Sequence, residues 1–584
     1  MVAYAARETR PSDPACRLGI AGAMMIGMMS GTSFPRRLSL LGVGVVFLVG
    51  YASIRGTPWL WGVHHLAFFP PALRFLVIAA ALAACAPPVA RAIAARAAPF
   101  GTTRAGTAGR LGPVLLLGTA AVAFWKFRVA AHLLGDGRIL PNAVADGRWW
   151  TGPEGLSTTI HAIVFRVVRP LGAADATSTY AGLSMAAGLV YVGLALLYAR
   201  RASRSHGERV LALLVLLTLG VMQAFFGYVE AYALSFPAAL AYLIAGHDAV
   251  VRKRSVGPAV ALFAFLVLLH VTYAAWAVSL GVVLYTAHRR RHGRRAAILV
   301  AAGTTTVIAG LLTGGVLGSI SALSKGEIET RAISGVLPLC PGGNINRDLF
   351  PYALFSWTHA LNLINQGLLV FPGVLVLLLA LAPRRARGKA PRSEAAGTGG
   401  DRFSVFLASA GLAQAAGFFF LRPQYGAFGD WDLLSLPALP IALLTVRLAA
   451  ARWRTGLAPI AVVVTAMQLL VLLPRIALNA DADRCQERYL RLLRTYPGSW
   501  DVVSLRIAYR LHLVQHFRSR GDAARALEMR VEGLRASRWN PRLFHDDLLE
   551  CVAETEALGG GGRSGPALPV LARIDPARDE GPRG

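Results

Sequence analysis

Polar and apolar positions alternate along this chain in long blocks. Apolar runs recur at residues 38–54, 72–90, 111–132, 179–198, 210–226, 231–245, 256–270, 273–286, 296–317, 360–382, 403–421, 433–448 and 457–473. A helix needs about 20 apolar residues to cross a bilayer, so the pattern predicts an all-α, polytopic transmembrane bundle of about 13 spans. Residues 156–168, LSTTIHAIVFRVV, have apolar side chains on one side and Thr158, His161 and Arg166 elsewhere. That pattern predicts a helix lying along the membrane surface. Trp59, Trp61 and Phe68, between the first two runs, have the character of interface anchors.

The blocks divide the chain into four parts. Residues 1–37 form a basic leader and 38–478 the transmembrane domain. In 479–558 the apolar positions return at helical spacing, with a Gly521-Asp522 turn between two helices. Ala508, Ala523, Ala526, Leu527, Ala536 and Pro541 fall where a tetratricopeptide repeat uses small and helix-ending residues. Such stacks need about three units to stand alone, so this unit is expected to rest on the membrane domain or a partner. Residues 559–584 have linker composition.

At 584 residues, 55% hydrophobic and only 16% charged, the chain has too much apolar surface for a water-soluble core. The net charge of +29 does not point to nucleic acid, because the arginines sit in short clusters between spans. Those at 200–209, 252–254, 289–295, 384–402 and 452–454 follow every second span. This places the N-terminus in the cytoplasm and the C-terminal unit outside, in a bacterial cytoplasmic membrane. Of the five cysteines, Cys340, Cys485 and Cys551 fall in segments expected outside, where one disulfide is possible with the pair left open.

The opposite face collects acids. Asp136 lies between two glycines in AHLLGDGRILPNAVADGRWWTGPE, followed by Asp146 and Glu154. Glu230 follows in FFGYVEAYAL and His270 in LLHVTYAAW. The loop 319–359 carries Lys325 and Arg347, and LRPQYGAFGDWDLL carries Arg422, Asp430 and Asp432. Gly135-Asp136-Gly137 also suits a simple turn, and external loops lose arginine by default. A carboxylate at the end of a span, as Glu230 is, more often faces a cavity or a partner.

An early span ending at a carboxylate-bearing loop, a surface helix after it, about 13 spans and an external C-terminal unit together resemble the GT-C membrane glycosyltransferases. The motifs GDG, FFGYVEAY, DLFPYALFSWTHALNLINQ and FGDWDLL also resemble a group of uncharacterised bacterial membrane proteins that end in tetratricopeptide-like repeats. The resemblance covers the chain from about Leu111 onward. It departs from the family in two extra spans before the loop and in a lone Asp136 where many members carry an acidic pair. It implies a polyprenyl-phosphate-linked sugar as donor and an extracytoplasmic lipid, glycan or protein as acceptor. Asp136 and Glu230 are then candidate catalytic groups. Arg422, Lys325, Arg347, His270 and Glu154 are candidates for binding substrate. Asp430 and Asp432 are candidate ligands for Mg²⁺ or Mn²⁺, hard cations that prefer oxygen. No P-loop, zinc spacing or nucleophile elbow is present. The rival reading is a non-catalytic transporter or scaffold whose repeat unit recruits a partner. It calls for polar residues at mid-span, of which Lys126, Arg128, Thr304–Thr306 and Gln468 are the few candidates.

Overall fold

The computed structural model describes residues 35–102, 107–149, 154–172, 175–289, 335–336, 353–382, 398–423, 426–453, 456–495 and 508–537, with a few isolated positions besides. Among the described residues the architecture is all-helical apart from one two-residue antiparallel pairing, Gly335–Val336 with Leu421–Arg422. The helices are α1 (Arg36–Arg55), α2 (Pro71–Cys85), α3 (Pro87–Thr102), α4 (Thr107–Lys126), α5 (Ile139–Ala145), α6 (Gly155–Val168), α7 (Ala176–Ala202), α8 (His206–Thr218), α9 (Tyr232–Val250) and α10 (Gly257–Leu269). They continue with α11 (Val271–Arg289), α12 (Trp357–Val370), α13 (Pro372–Leu381), α14 (Thr398–Phe420), α15 (Ala438–Arg452), α16 (Leu457–Asn479), α17 (Ala482–Thr495) and α18 (Ala523–Ser537).

Among the described residues, 7 helices are long and apolar enough to cross a membrane, or up to 9 if each bent pair counts as one span. By length and composition the chain is a membrane protein. The run at 72–90 is broken into α2 and α3, which meet at 86°. Pro87 and Pro88 cause the break, since proline disfavours a helical residue before it and removes a backbone donor. The run at 360–382 breaks in the same way at Pro372, where α12 and α13 meet at 105°. The run at 111–132 leaves its helix at Lys126, so Lys126 and Arg128 stand at a helix end and not at mid-span. The run at 210–226 ends its α-helix at Thr218 and continues as a 3₁₀ turn, Gly220–Phe225. Most of 296–317, including Thr304–Thr306, lies outside the described residues.

Two expectations about the surface are corrected. Trp61 is no interface anchor. It is fully buried, and its indole N–H donates to Asn362 Oδ1 at 2.9 Å. A helix forms at 156–168 as α6, but it turns Ser157, Thr158 and His161 inward and leaves Ile163 and Val167 outside. The polar stripe is buried because it meets polar partners: Ser157 Oγ donates to the Ala231 carbonyl at 3.2 Å, and His161 stacks on Tyr180 at 3.7 Å.

α16 lies at the middle of the bundle and packs on α1, α2, α3, α8 and α13. The C-terminal helices join the same continuous core through Tyr489, Leu492, Leu513 and Phe517. α17 drives Arg488 into the membrane part, where its guanidinium reaches His64 Nε2 at 3.1 Å and the Trp61 carbonyl at 3.3 Å. Gly521 and Asp522 form the turn before α18, and Arg494 bridges to Glu532 at 2.7 Å. Cys85 and Cys485 are buried free thiols, so Cys485 does not form the external disulfide.

Candidate functional site

The chain leaves α4 into an irregular loop tied down from two sides. The Val129 N–H donates to the Phe226 carbonyl at 2.7 Å and the Ala130 N–H to the Asn479 carbonyl at 2.9 Å. The loop then turns at Gly135, with φ of 54°, a conformation glycine adopts without strain. The Asp136 N–H donates to Glu230 Oε1, and the Asp136 carbonyl accepts from Ile139 and Leu140 to start α5. A Cβ on residue 135 would collide with the Glu230 carboxylate, so glycine is needed here for space as well as for φ.

Glu230 sits in the break between the Gly220–Phe225 turn and α9, and its Oε2 accepts from the Ala231 N–H at 3.3 Å. Glu154 precedes α6, with Oε1 at 3.8 Å from His270 Nε2. His270 separates α10 from α11. Its Nδ1 accepts from the Thr272 N–H at 3.3 Å, which directs Nε2–H to the Tyr232 hydroxyl, 2.9 Å away. Asp432 precedes the Leu433–Arg452 span. Its Oδ1 accepts from the Leu433 N–H at 2.9 Å, while its buried Oδ2 has no hydrogen-bond partner. Asp430 is buried two residues earlier.

These five carboxylates act on one another. Burial, and then the charges of Asp136, Asp432 and Asp430, hold the Glu154 carboxyl well above the usual range. Burial, then Asp432, Asp136 and Glu154, do the same to Glu230. Burial pushes Asp432 up to about 7, with Asp136 adding to the rise and Arg475 opposing it. Asp136 is half-buried and is the most accessible of the five. A set of carboxyls biased toward the protonated form beside a more accessible one is a setting in which acid and base roles separate. Comparison with protein-family models, curated proteins and solved structures finds no match to this chain.

Asp136, Glu154, Glu230, His270, Asp430 and Asp432 thus come together at one end of the bundle. Arg422 is in the short strand opposite Gly335, and its side chain is outside the described residues, as are Lys325 and Arg347. Among the described residues, no three His, Cys, Asp or Glu side chains are grouped to hold a metal ion. Mg²⁺ commonly binds through one or two carboxylates with water and phosphate completing its shell, so the oxygen-only pair Asp430 and Asp432, with its unbonded Oδ2, fits that mode.

Sequence reasoning missed Arg475. Its guanidinium is buried, lies 3.6 Å over the Trp431 ring and leaves Nη1 without a hydrogen bond. Trp431 is itself fixed by its indole N–H to the Tyr228 hydroxyl at 3.0 Å and by the Gln366 amide on its carbonyl at 2.5 Å. The signal was a charge inside the apolar run LVLLPRIALN, which reads as a span end.

Proposed function

We propose that the chain is a bacterial membrane glycosyltransferase that moves a sugar from a polyprenyl-phosphate donor to an extracytoplasmic acceptor. The observation that carries this is the convergence of Asp136, Glu154, Glu230, Asp430 and Asp432 from four separate segments into one largely buried cluster. In this reading Asp136 takes the proton from the acceptor hydroxyl as its oxygen attacks the anomeric carbon. The sugar–phosphate bond breaks, and polyprenyl phosphate leaves with the bonding pair. A leaving phosphate needs cations in a dry site. Arg475, with an unused donor, is the described residue best suited to that role, and Arg422, Lys325 and Arg347 are further candidates. Asp430 and Asp432 would hold a divalent cation, which would neutralise charge on the phosphate. Glu230 holds the Asp136 backbone, and Glu154 and His270 line the acceptor side.

The finer topology belongs to the same proposal. Thirteen crossings result if the bent pairs, the short helices α4, α8 and α10 and the 296–317 segment all count as spans. The N-terminus is then cytoplasmic, and the tetratricopeptide-like C-terminal unit is outside, where it could receive a protein partner. One observation favours the rival transporter: the helix breaks at Gly220–Phe225 and at His270 adjoin titratable groups, as in broken-helix carriers.

The test is incubation of the purified protein with a panel of polyprenyl-phosphate sugars and acceptors, with released polyprenyl phosphate read by mass spectrometry. Release is expected, and Asp136→Asn should cut turnover by roughly 10²-fold with folding unchanged. No release with any donor overturns the reading. Release with Asp136→Asn within a fewfold of the parent moves the base role to Glu230.

A further inference from the structure

α7 and α9 both begin beside the acidic cluster, at Tyr180 and Tyr232, and both end at a second cluster of opposite character. α9 is 19 residues long, about 28 Å at 1.5 Å per residue, so the second cluster stands one hydrocarbon thickness from the first. There Asp248 meets three arginines: Arg201 at 3.1 Å, Arg252 at 3.6 Å and Arg254 at 3.7 Å. His247 is beside the same carboxylate at 3.5 Å. One layer deeper, Arg447 is already matched by Glu208 at 3.9 Å and lies over Phe403. One carboxylate thus faces three guanidiniums, and the excess is positive.

Those guanidiniums are underused. Among the described residues they make two side-chain hydrogen bonds, Arg201 Nη1 to Asp248 Oδ2 and Arg252 Nη2 to the Arg201 carbonyl. Each can donate five. Their side chains keep 36%, 37% and 60% of their exposure. The turn that presents Arg252 and Arg254 is fixed. Val251 N–H bonds back to His247 and Arg254 N–H to Asp248, and Lys253 is held at φ 58°, the one left-handed residue other than glycine among the described residues. A left-handed lysine is a conformation the chain adopts only where its surroundings impose it. α10 starts three residues later and turns Val260 and, further along, Phe265 and Leu268 to the outside.

We propose that Arg201, Arg252 and Arg254 bind the phosphate of an anionic phospholipid, with its acyl chains along the outer face of α10. The ligand chemistry is a phosphodiester. The apolar flank and the position at the ends of membrane helices select a lipid over free phosphate.

The test is native mass spectrometry of the full chain in detergent, titrated with phosphatidylglycerol, phosphatidylcholine or inorganic phosphate. Phosphatidylglycerol should bind in preference to phosphatidylcholine, and millimolar phosphate should not displace it. At about 1 kcal/mol per arginine near the surface, Arg252→Gln with Arg254→Gln should weaken binding by about thirtyfold. Arg254→Gln alone, at the most exposed of the three, should weaken it by about fivefold and keeps the measurement sound if the double variant folds poorly. Arg166→Gln, from the cation stacked on Trp149 outside this cluster, should leave the preference unchanged. Equal binding of the two lipids, displacement by phosphate, or unaltered binding in both cluster variants overturns the proposal.

Discussion

Gly135→Ala tests the geometry on which the acidic site depends. The substitution adds one methyl group at φ 54°, where its carbon would meet the Glu230 carboxylate that accepts from the Asp136 N–H. The backbone term is about 1–2 kcal/mol for a non-glycine residue in the left-handed region. Moving the carboxylate leaves a buried donor unsatisfied, costing about another 1–3 kcal/mol. Glu230 is only 2% exposed, so a displaced carboxylate does not regain full hydration. Reduced freedom of the unfolded chain returns about 0.4–1 kcal/mol, so the net expected loss is about 1–4.5 kcal/mol. Denaturant unfolding in micelles reads it directly. Gly118→Ala, inside α4 with nothing within 4 Å of the added carbon, should be neutral or mildly stabilising. In a Glu230→Ala background, Gly135→Ala should lose the collision term and cost only about 0–1.6 kcal/mol net. Equal costs in the two backgrounds would refute the assigned contact.

Three further outcomes follow from the same site. Asp432 titrates at 3.8 when unperturbed and near 7 when folded, so the native state holds its proton more tightly and the stabilisation from this group falls as pH rises between those values. Unfolding measured at pH 5 and pH 8 should show that loss, and Asp432→Asn should remove it; an unchanged pH profile in the variant refutes the assignment. Arg475→Met keeps volume and removes a buried cation with an unsatisfied donor, so stability should hold or rise while transfer activity falls. A loss of stability above about 2 kcal/mol with activity retained would make Arg475 structural. His512 takes the Tyr489 hydroxyl at 2.8 Å and lies against the backbone of Leu133 and Gly135. His512→Ala should speed amide exchange across 132–139 and leave α7 unaffected, and an unaltered loop counts against the contact.

Several features were legible before any coordinates. Asp136, Glu154, Glu230, Asp430 and Asp432 stood out because acids beside apolar runs are rare, and the alternating arginine clusters put them on one face. Their mutual contacts were not legible, since Glu230 reaches Asp136 across 94 residues. The breaks at Pro87 and Pro372 were written in the sequence, but hydropathy averaged over a window passes through a proline without registering it. Trp61 was misjudged because an indole in a loop beside a span has the composition of an anchor. Its burial depends on Asn362, 301 residues away. Arg475 was invisible for a similar reason: its stacking partner Trp431 lies on a different segment from the helix that carries it.

The tether between the acidic loop and the end of α16 also sets an order in time. The Ala131 carbonyl meets Cys485 Sγ at 3.7 Å, a contact across 354 residues. At about 5–20 residues per second, the loop waits roughly 20–70 s on the ribosome before the segment that clamps it exists. During that interval the loop at 130–131 lacks its contacts with Asn479 and Cys485. The site is therefore completed last, and a chain that stops before residue 479 would carry its candidate base without the backbone bond that anchors Ala130. Synthesis to near the C-terminus is therefore a condition for a formed site.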